Sequence, residues 1–199
     1  DDIHAITASQ VFNMPLQMVT PLMRRRAKAV NFGIVYGIGA FSLAKDIGVT
    51  RAEADSYIKG YLANFSGVSR YMKDVVEKAK ENGYVETVFA RRRYLPEITS
   101  SNGMMRAFGE RVALNMPIQG TAADIIKIAM IRVYNRLKAE CLKARLIMQV
   151  HDELIVEAPD SEVAFVSLIL KEEMENAVNM RVKMQADVGT GKTWFEAKL

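Results

Sequence analysis

An α+β fold, mostly helical, follows from three observations. Apolar residues recur at helical spacing through most of the first half. Two short apolar runs, Leu146–Val150 and Leu154–Val156, flank a polar pair in the manner of a hairpin. Half of the 199 residues are hydrophobic and a quarter charged, which supplies a core and excludes a disordered chain. No run of about 18 apolar residues is present, so no membrane span is expected, and no charged-then-apolar signal segment opens the chain. The lone Cys141 cannot close an intrachain disulfide, which fits a reducing compartment. His4 and His151 are the only histidines, too few with one cysteine for a zinc cluster. The formal net charge of +4 allows a polyanionic partner without demanding one. A soluble intracellular protein is expected.

In order along the chain, the polar opening Asp1-Asp2-Ile3-His4 runs straight into helical pattern without a methionine, as though the front of a longer protein were absent. Pro21 suits the first turn of a helix reaching Tyr36, with Gly37 and Gly39 as stop signals. Thr50-Arg51-Ala52-Glu53 matches a capping box, and Ala54, Ile58, Tyr61, Leu62 and Phe65 follow at helical spacing. A helix from about Val68 to Lys80 ends at Asn82-Gly83. Tyr84–Val88 alternates like a short strand, and Arg91-Arg92-Arg93-Tyr94-Leu95-Pro96 reads as a basic connection. Helical pattern resumes at Met105–Leu114, breaks at Pro117 and continues from Thr121 to Leu142, which makes Cys141 a packed helical residue. The hairpin follows with its tip at His151-Asp152. Asp160-Ser161 then caps a helix through Val178, and Val182–Val188 alternates as a last strand. Two lobes are expected, with a boundary near Met105.

Arg24, Lys28, Phe32 and Tyr36 are spaced four apart. Each step drifts only about 40° round a helix, so the four form a stripe of about 18 Å on one side. Cations fill its first half and aromatics its second, as a phosphate and then a sugar and base would require. The helix N-terminus beside the cations also favours anions. The same pattern suits an amphipathic helix with a solvated basic end and a buried aromatic end.

Asp152 at a hairpin tip is a good Mg²⁺ ligand, because hard divalent cations prefer oxygen. A plain turn also favours aspartate. Neighbours on a strand point to opposite faces, so Asp152 and Glu153 do not share one ion unless the turn brings them together. Arg91–Arg93, with Arg111, Asn115 and Gln119, have the chemistry of a nucleic-acid groove, or of a solvated charged surface. Gly189-Thr190-Gly191-Lys192-Thr193 is no phosphate loop: Ala186 stands where that motif needs glycine, and no helix is expected to follow. No Gly-x-Ser-x-Gly elbow is present.

Three long segments are more specific. Arg24-Arg25-Arg26-Ala27-Lys28-Ala29-Val30-Asn31-Phe32-Gly33-Ile34-Val35-Tyr36-Gly37 resembles the nucleotide-binding helix of family A DNA polymerases of bacteria. Gln149-Val150-His151-Asp152-Glu153-Leu154 resembles the palm motif of that family, which carries a catalytic aspartate. Asn115–Asp124 is similar to its primer–template contact segment, and Asp2-Ile3-His4 and Arg92–Pro96 also match. The likeness covers essentially the whole chain in order. It implies polymerase fingers helices over residues 1–104 and, over 105–199, the distal palm with part of an antiparallel sheet. His4, Arg24 and Lys28 would bind a deoxynucleoside triphosphate, Phe32 would pack on its sugar and base, and Tyr36 with Gly37 would lie where the template base enters. Arg111, Asn115, Gln119 and His151 would contact primer–template DNA. Asp152 would ligate Mg²⁺ as catalytic residue, one of two ions in the reaction, with Lys28 and Glu153 assisting. The setting implied is the nucleoid-associated cytoplasm, in DNA replication and repair.

The other palm aspartate of the family lies in a motif like Asp-Tyr-Ser-Gln-Ile-Glu, which this sequence lacks. These residues alone are therefore expected not to polymerise DNA, and to self-associate through exposed palm surface. A non-catalytic DNA- or nucleotide-binding module that keeps the fold is the alternative; an intact Asp152, Arg24 and Lys28 favour the enzyme.

Overall fold

The computed structural model describes residues 2–198, so Asp1 of the polar opening lies outside the described residues. Two compact units emerge, one through Ile118 and one from Gln119 onward. Helices dominate, and the strands form two separate antiparallel pairs, so the fold is α+β and mostly helical.

The first unit opens with α1 (Ile3–Val11), capped by the Asp2 carboxylate, which accepts from the His4 and Ala5 amides. Helix α2 (Pro21–Val35) starts as its sequence dictates: Thr20 accepts from the Met23 amide, and Pro21 takes a first-turn position that needs no N–H. Helices α3 (Ala40–Ile47), α4 (Arg51–Asn64) and α5 (Ser66–Asn82) follow. The capping box at Thr50 and Glu53 is formed in both directions. Val30, Ile34, Leu43, Ile47, Ala54 and Tyr61 make the core of these helices. Gly83 ends α5 at φ +75°, a conformation glycine adopts without steric penalty.

Strand β1 (Tyr84–Glu86) is shorter than the alternation to Val88 suggests. The basic connection proves to be its partner, β2 (Arg92–Tyr94), with Tyr84 opposite Tyr94 and Glu86 opposite Arg92. One face of the pair carries Val85 into a second core with Leu95, Ile98 and Ala113. The other face is solvated, and there Arg92 lies 4.5 Å from the Tyr84 ring centre and 3.3 Å from Glu86.

Helix α6 runs unbroken from Gly103 to Ala139, 37 residues with Pro117 inside. The break expected at Pro117 is absent. A proline in a helix interior costs about 3 kcal/mol, but buried Ala113 and Leu114 before it and Ala129, Val133 and Leu137 after it anchor both flanking stretches. The composition shift near Met105 marks the start of α6, and the division between the compact units falls at Ile118. The helix stops short of Leu142. Cys141 is exposed in the following turn at φ +53°, not packed on a helix.

The second unit packs β3 (Arg145–Val150), β4 (Glu153–Glu157) and α7 (Val163–Glu175) around Val133, Leu137, Val166 and Ile169. Asp160-Ser161 does not cap α7. Glu162 stands at its N-cap, and the Glu162 carboxylate accepts instead from the Lys143 and Ala144 amides, closing the turn between α6 and β3. α7 ends at Glu175 rather than Val178, and Val182–Val188 forms no strand, since alternation makes a strand only where a ladder partner exists. Ala186 N–H donates to the Glu175 carboxylate instead. A four-residue helix, α8 (Trp194–Ala197), does follow Lys192, which is ion-paired with Asp160 at 2.8 Å.

Candidate functional site

Helix α2 turns Ala27, Val30, Asn31 and Ile34 inward and leaves Arg24, Lys28 and Phe32 on an accessible side. The buried set recurs at three and four residues, so the stripe at steps of four necessarily takes another face. Its last three members adjoin one another in sequence. The Lys28 ammonium lies 6.0 Å from the Phe32 ring centre, and the Phe32 and Tyr36 rings stack at 6.2 Å and 27°. Phe32 keeps 47% of its surface exposed, so its ring is presented rather than buried.

Helix α1 closes one flank. His4 lies against Phe32 with ring centres 5.7 Å apart, and His4 Nδ1 meets the Asn31 amide nitrogen at 2.9 Å. Arg24 Nε–H donates to Asp2 Oδ2 at 2.6 Å. This guanidinium hydrogen bond, with the Ala5 amide, holds the Asp2 carboxyl below its ordinary value. The five residues His4, Arg24, Lys28, Phe32 and Tyr36 are thus gathered at one place in the first unit.

At the end of α2, Gly37 takes φ +74°. A β-carbon there would come within 2.9 Å of Leu114 Cδ1 and 3.3 Å of Arg111 Cγ. Glycine is needed both for the left-handed backbone and for the close approach of α6. Arg111 therefore lies beside Gly37, with Asn115 one turn further along α6.

Gln119, His151 and Asp152 belong to the second unit. Val150 pairs with Glu153, so the hairpin closes with two residues, His151 and Asp152. His151 has φ +52°, the left-handed first position that two-residue hairpin turns require, and Gln149 Nε2 donates to its carbonyl at 2.6 Å. A non-glycine residue held there is uncommon and marks the tip as fixed by its surroundings. Asp152 is exposed, and Glu153 is the first residue of β4. A bulge between Leu146 and Met148 interrupts the alternation of β3, leaving Ile147 and Met148 exposed.

The family model described as DNA polymerase family A matches residues 1–196. The chain belongs to DNA polymerase family A. DNA polymerase I of Bacillus caldotenax is 53% identical over 197 residues, covering 99% of this chain and 22% of the relative. DNA polymerase I of Bacillus subtilis (strain 168) is 52% identical over the same length, with the same coverage. A solved structure, the POL domain of Pol1 from M. smegmatis in complex with DNA primer-template and dNTP, superposes with TM-score 0.92 at 44% identity. It covers 99% of this chain and 35% of that one. The family A chain described here thus spans less than a quarter of the length of the curated relatives it matches.

Asp2 and Asn31 join this candidate site without having been singled out as site residues. The signal for Asp2 was its place before the first helix as a cap, and for Asn31 an amide in the buried register of an amphipathic helix. As for a metal, the Asp152 carboxylate has the right chemistry for a hard cation. Among the described residues no group of three or more histidine, cysteine or carboxylate side chains could hold one.

Proposed function

We propose that this chain is the nucleotide-binding and part of the catalytic region of a template-directed DNA polymerase. Residues 1–104 correspond to fingers and 105–199 to the distal palm. The observation that carries the reading is the contiguous set His4, Arg24, Lys28, Phe32 and Tyr36 in a member of this family. The two cations meet the phosphates of a deoxynucleoside triphosphate, and the His4 ring adds a hydrogen-bond donor. The face of Phe32 packs on the sugar and base, and Tyr36, stacked on it, borders the entry of the template base.

The reaction is attack of a primer 3′-hydroxyl on the α-phosphate, with pyrophosphate as leaving group. Charge grows on the transferring phosphate oxygens, so Lys28 acts chiefly in the transition state, while Arg24 contributes mainly to binding the triphosphate. Asp152 is the carboxylate offered to Mg²⁺, which when bound stabilises the attacking and leaving oxygens. Glu153 supports it from the first position of β4. Arg111 and Asn115, with Gln119 and His151, hold primer–template DNA through phosphates and minor-groove acceptors. Both proposed substrates suit a protein of the bacterial cytoplasm acting at the nucleoid.

Primer extension tests the reading. The full-length polypeptide should extend a primer by the templated nucleotide with Mg²⁺ present, and DNA binding without extension would favour the non-catalytic module. A chain of these 199 residues alone should not extend the primer, because Asp152 supplies only one of the carboxylates two-metal chemistry needs. It should self-associate through the unpaired edges of the β3–β4 hairpin and exposed Ile147 and Met148, as sizing chromatography reads.

A further inference from the structure

We infer that Asn31 is a positioning residue for His4, fixing the imidazole in the tautomer whose Nε2–H is free to donate to an anion. The inference rests on the triphosphate reading above, and its test is separable from it.

Asn31 projects from the buried side of α2 and keeps only 7% of its surface exposed. Its amide nitrogen stands 2.9 Å from His4 Nδ1. An amide nitrogen carries hydrogens and no lone pair to accept with, so with the amide in this orientation Nδ1 presents its own lone pair. A neutral imidazole that accepts at Nδ1 carries its proton on Nε2. That N–H lies across the ring from Asn31. Phe32 lies beside the ring, with centres 5.7 Å apart.

The other end of the amide supports a specific role. Asn31 Oδ1 is buried and has no hydrogen-bond partner among the described residues. An unmet buried acceptor costs about 1–3 kcal/mol. An apolar residue of similar size would fill the helix contact without that cost, so packing alone does not account for asparagine here. The bond to His4 does. Were the amide reversed, Oδ1 would call for a proton on Nδ1, and a neutral ring would turn the Nε2 lone pair outward, repelling a phosphate oxygen. The amide orientation thus decides whether His4 offers an anion a donor or an acceptor.

Long-range ¹H–¹⁵N spectra of the histidine rings read the tautomer directly. They are recorded on the full-length polypeptide at a pH where imidazole is neutral, with His4 assigned by its loss in His4→Gln. The expected pattern is an unprotonated Nδ1 and a protonated Nε2. Asn31→Ala should move both shifts toward the average of two tautomers. Asn31→Asp, nearly isosteric, should place the proton on Nδ1. The half-saturating triphosphate concentration in single-turnover extension should rise about three- to tenfold in Asn31→Ala, and more in Asn31→Asp. A wild-type ring protonated on Nδ1, or shifts that ignore both substitutions, would overturn the inference. Shifted tautomers with unchanged nucleotide dependence would uphold the positioning role and remove the triphosphate from His4.

Discussion

The α2 stripe and the β3–β4 hairpin are built in opposite ways. Around α2, functional groups are already engaged with one another: Arg24 with Asp2, His4 with Asn31, and Phe32 with His4, Lys28 and Tyr36. At the hairpin tip the backbone is fixed while the Asp152 side chain is exposed. The first arrangement suits binding, since donors held in place lose little freedom when an anion arrives. The second suits a carboxylate whose partner comes from outside the chain. On the proposed reading the metal-dependent step belongs to the hairpin, whereas α2 binds the triphosphate and, through Lys28, also stabilises its transition state, so substitutions in each should fail differently.

The largest effect is expected at the hairpin. Asp152→Asn removes the charge and keeps the size of the side chain, so single-turnover incorporation should fall roughly a thousandfold. Binding of primer–template DNA, measured by anisotropy, should stay within about twofold, because an exposed aspartate attracts no phosphate. On α2, Lys28→Ala should lower the maximal incorporation rate roughly a hundredfold, with DNA affinity again unchanged. Asp2→Asn sharpens the contrast. It removes an exposed ion pair behind Arg24, so the half-saturating triphosphate concentration should rise about two- to fivefold with little change in maximal rate. A large loss of maximal rate in Asp2→Asn would mean that the pair does more than orient Arg24.

How far these regions could be read from sequence depends on the range of the interactions. The start of α2 was legible because Pro21 acts within one turn, and the Thr50–Glu53 box for the same reason. The His151-Asp152 tip was legible because two apolar runs bracket it. Asp2 and Arg24 meet across 22 positions, a contact no local pattern encodes. Continuity of α6 through Pro117 was hidden because the local penalty of proline is visible in sequence, whereas the packing of Ala113, Leu114 and Val133 that offsets it is not. Val182–Val188 failed for the converse reason: its alternation is local, and a strand needs a distant partner.

Two smaller effects concern stability rather than function. Ala90 is held at φ +62° between β1 and β2, where left-handed backbone costs a non-glycine residue about 1–2 kcal/mol. Glycine gives back about 0.5–1 kcal/mol in chain entropy, so Ala90→Gly should stabilise the first unit by roughly 0.5–1 kcal/mol. A denaturant melt reads the shift, and incorporation should be unaffected. The smallest effect is acid sensitivity. Hydrogen bonds from Arg24 and Lys192 lower the pKa values of Asp2 and Asp160 in the folded chain. Each carboxylate therefore contributes stability above its unfolded value and loses it as pH falls through its folded one. Wild-type and Asp2→Asn melting temperatures should differ slightly at neutral pH and converge in acid, with Asp160→Asn behaving alike for the second unit.

The nucleotide-concentration dependence of single-turnover incorporation, with Asp152→Asn and Asp2→Asn run beside wild type in the full-length polypeptide, tests the division between binding and chemistry most directly. The expected result is a crossed pattern. Asp152→Asn should lose maximal rate with its half-saturating triphosphate concentration within about threefold of wild type, and Asp2→Asn should do the reverse. If Asp152→Asn instead kept the wild-type maximal rate, or lost triphosphate affinity in proportion to rate, the assignment of the metal-dependent step to the hairpin and of triphosphate binding to the Asp2–Arg24 end of α2 would be contradicted.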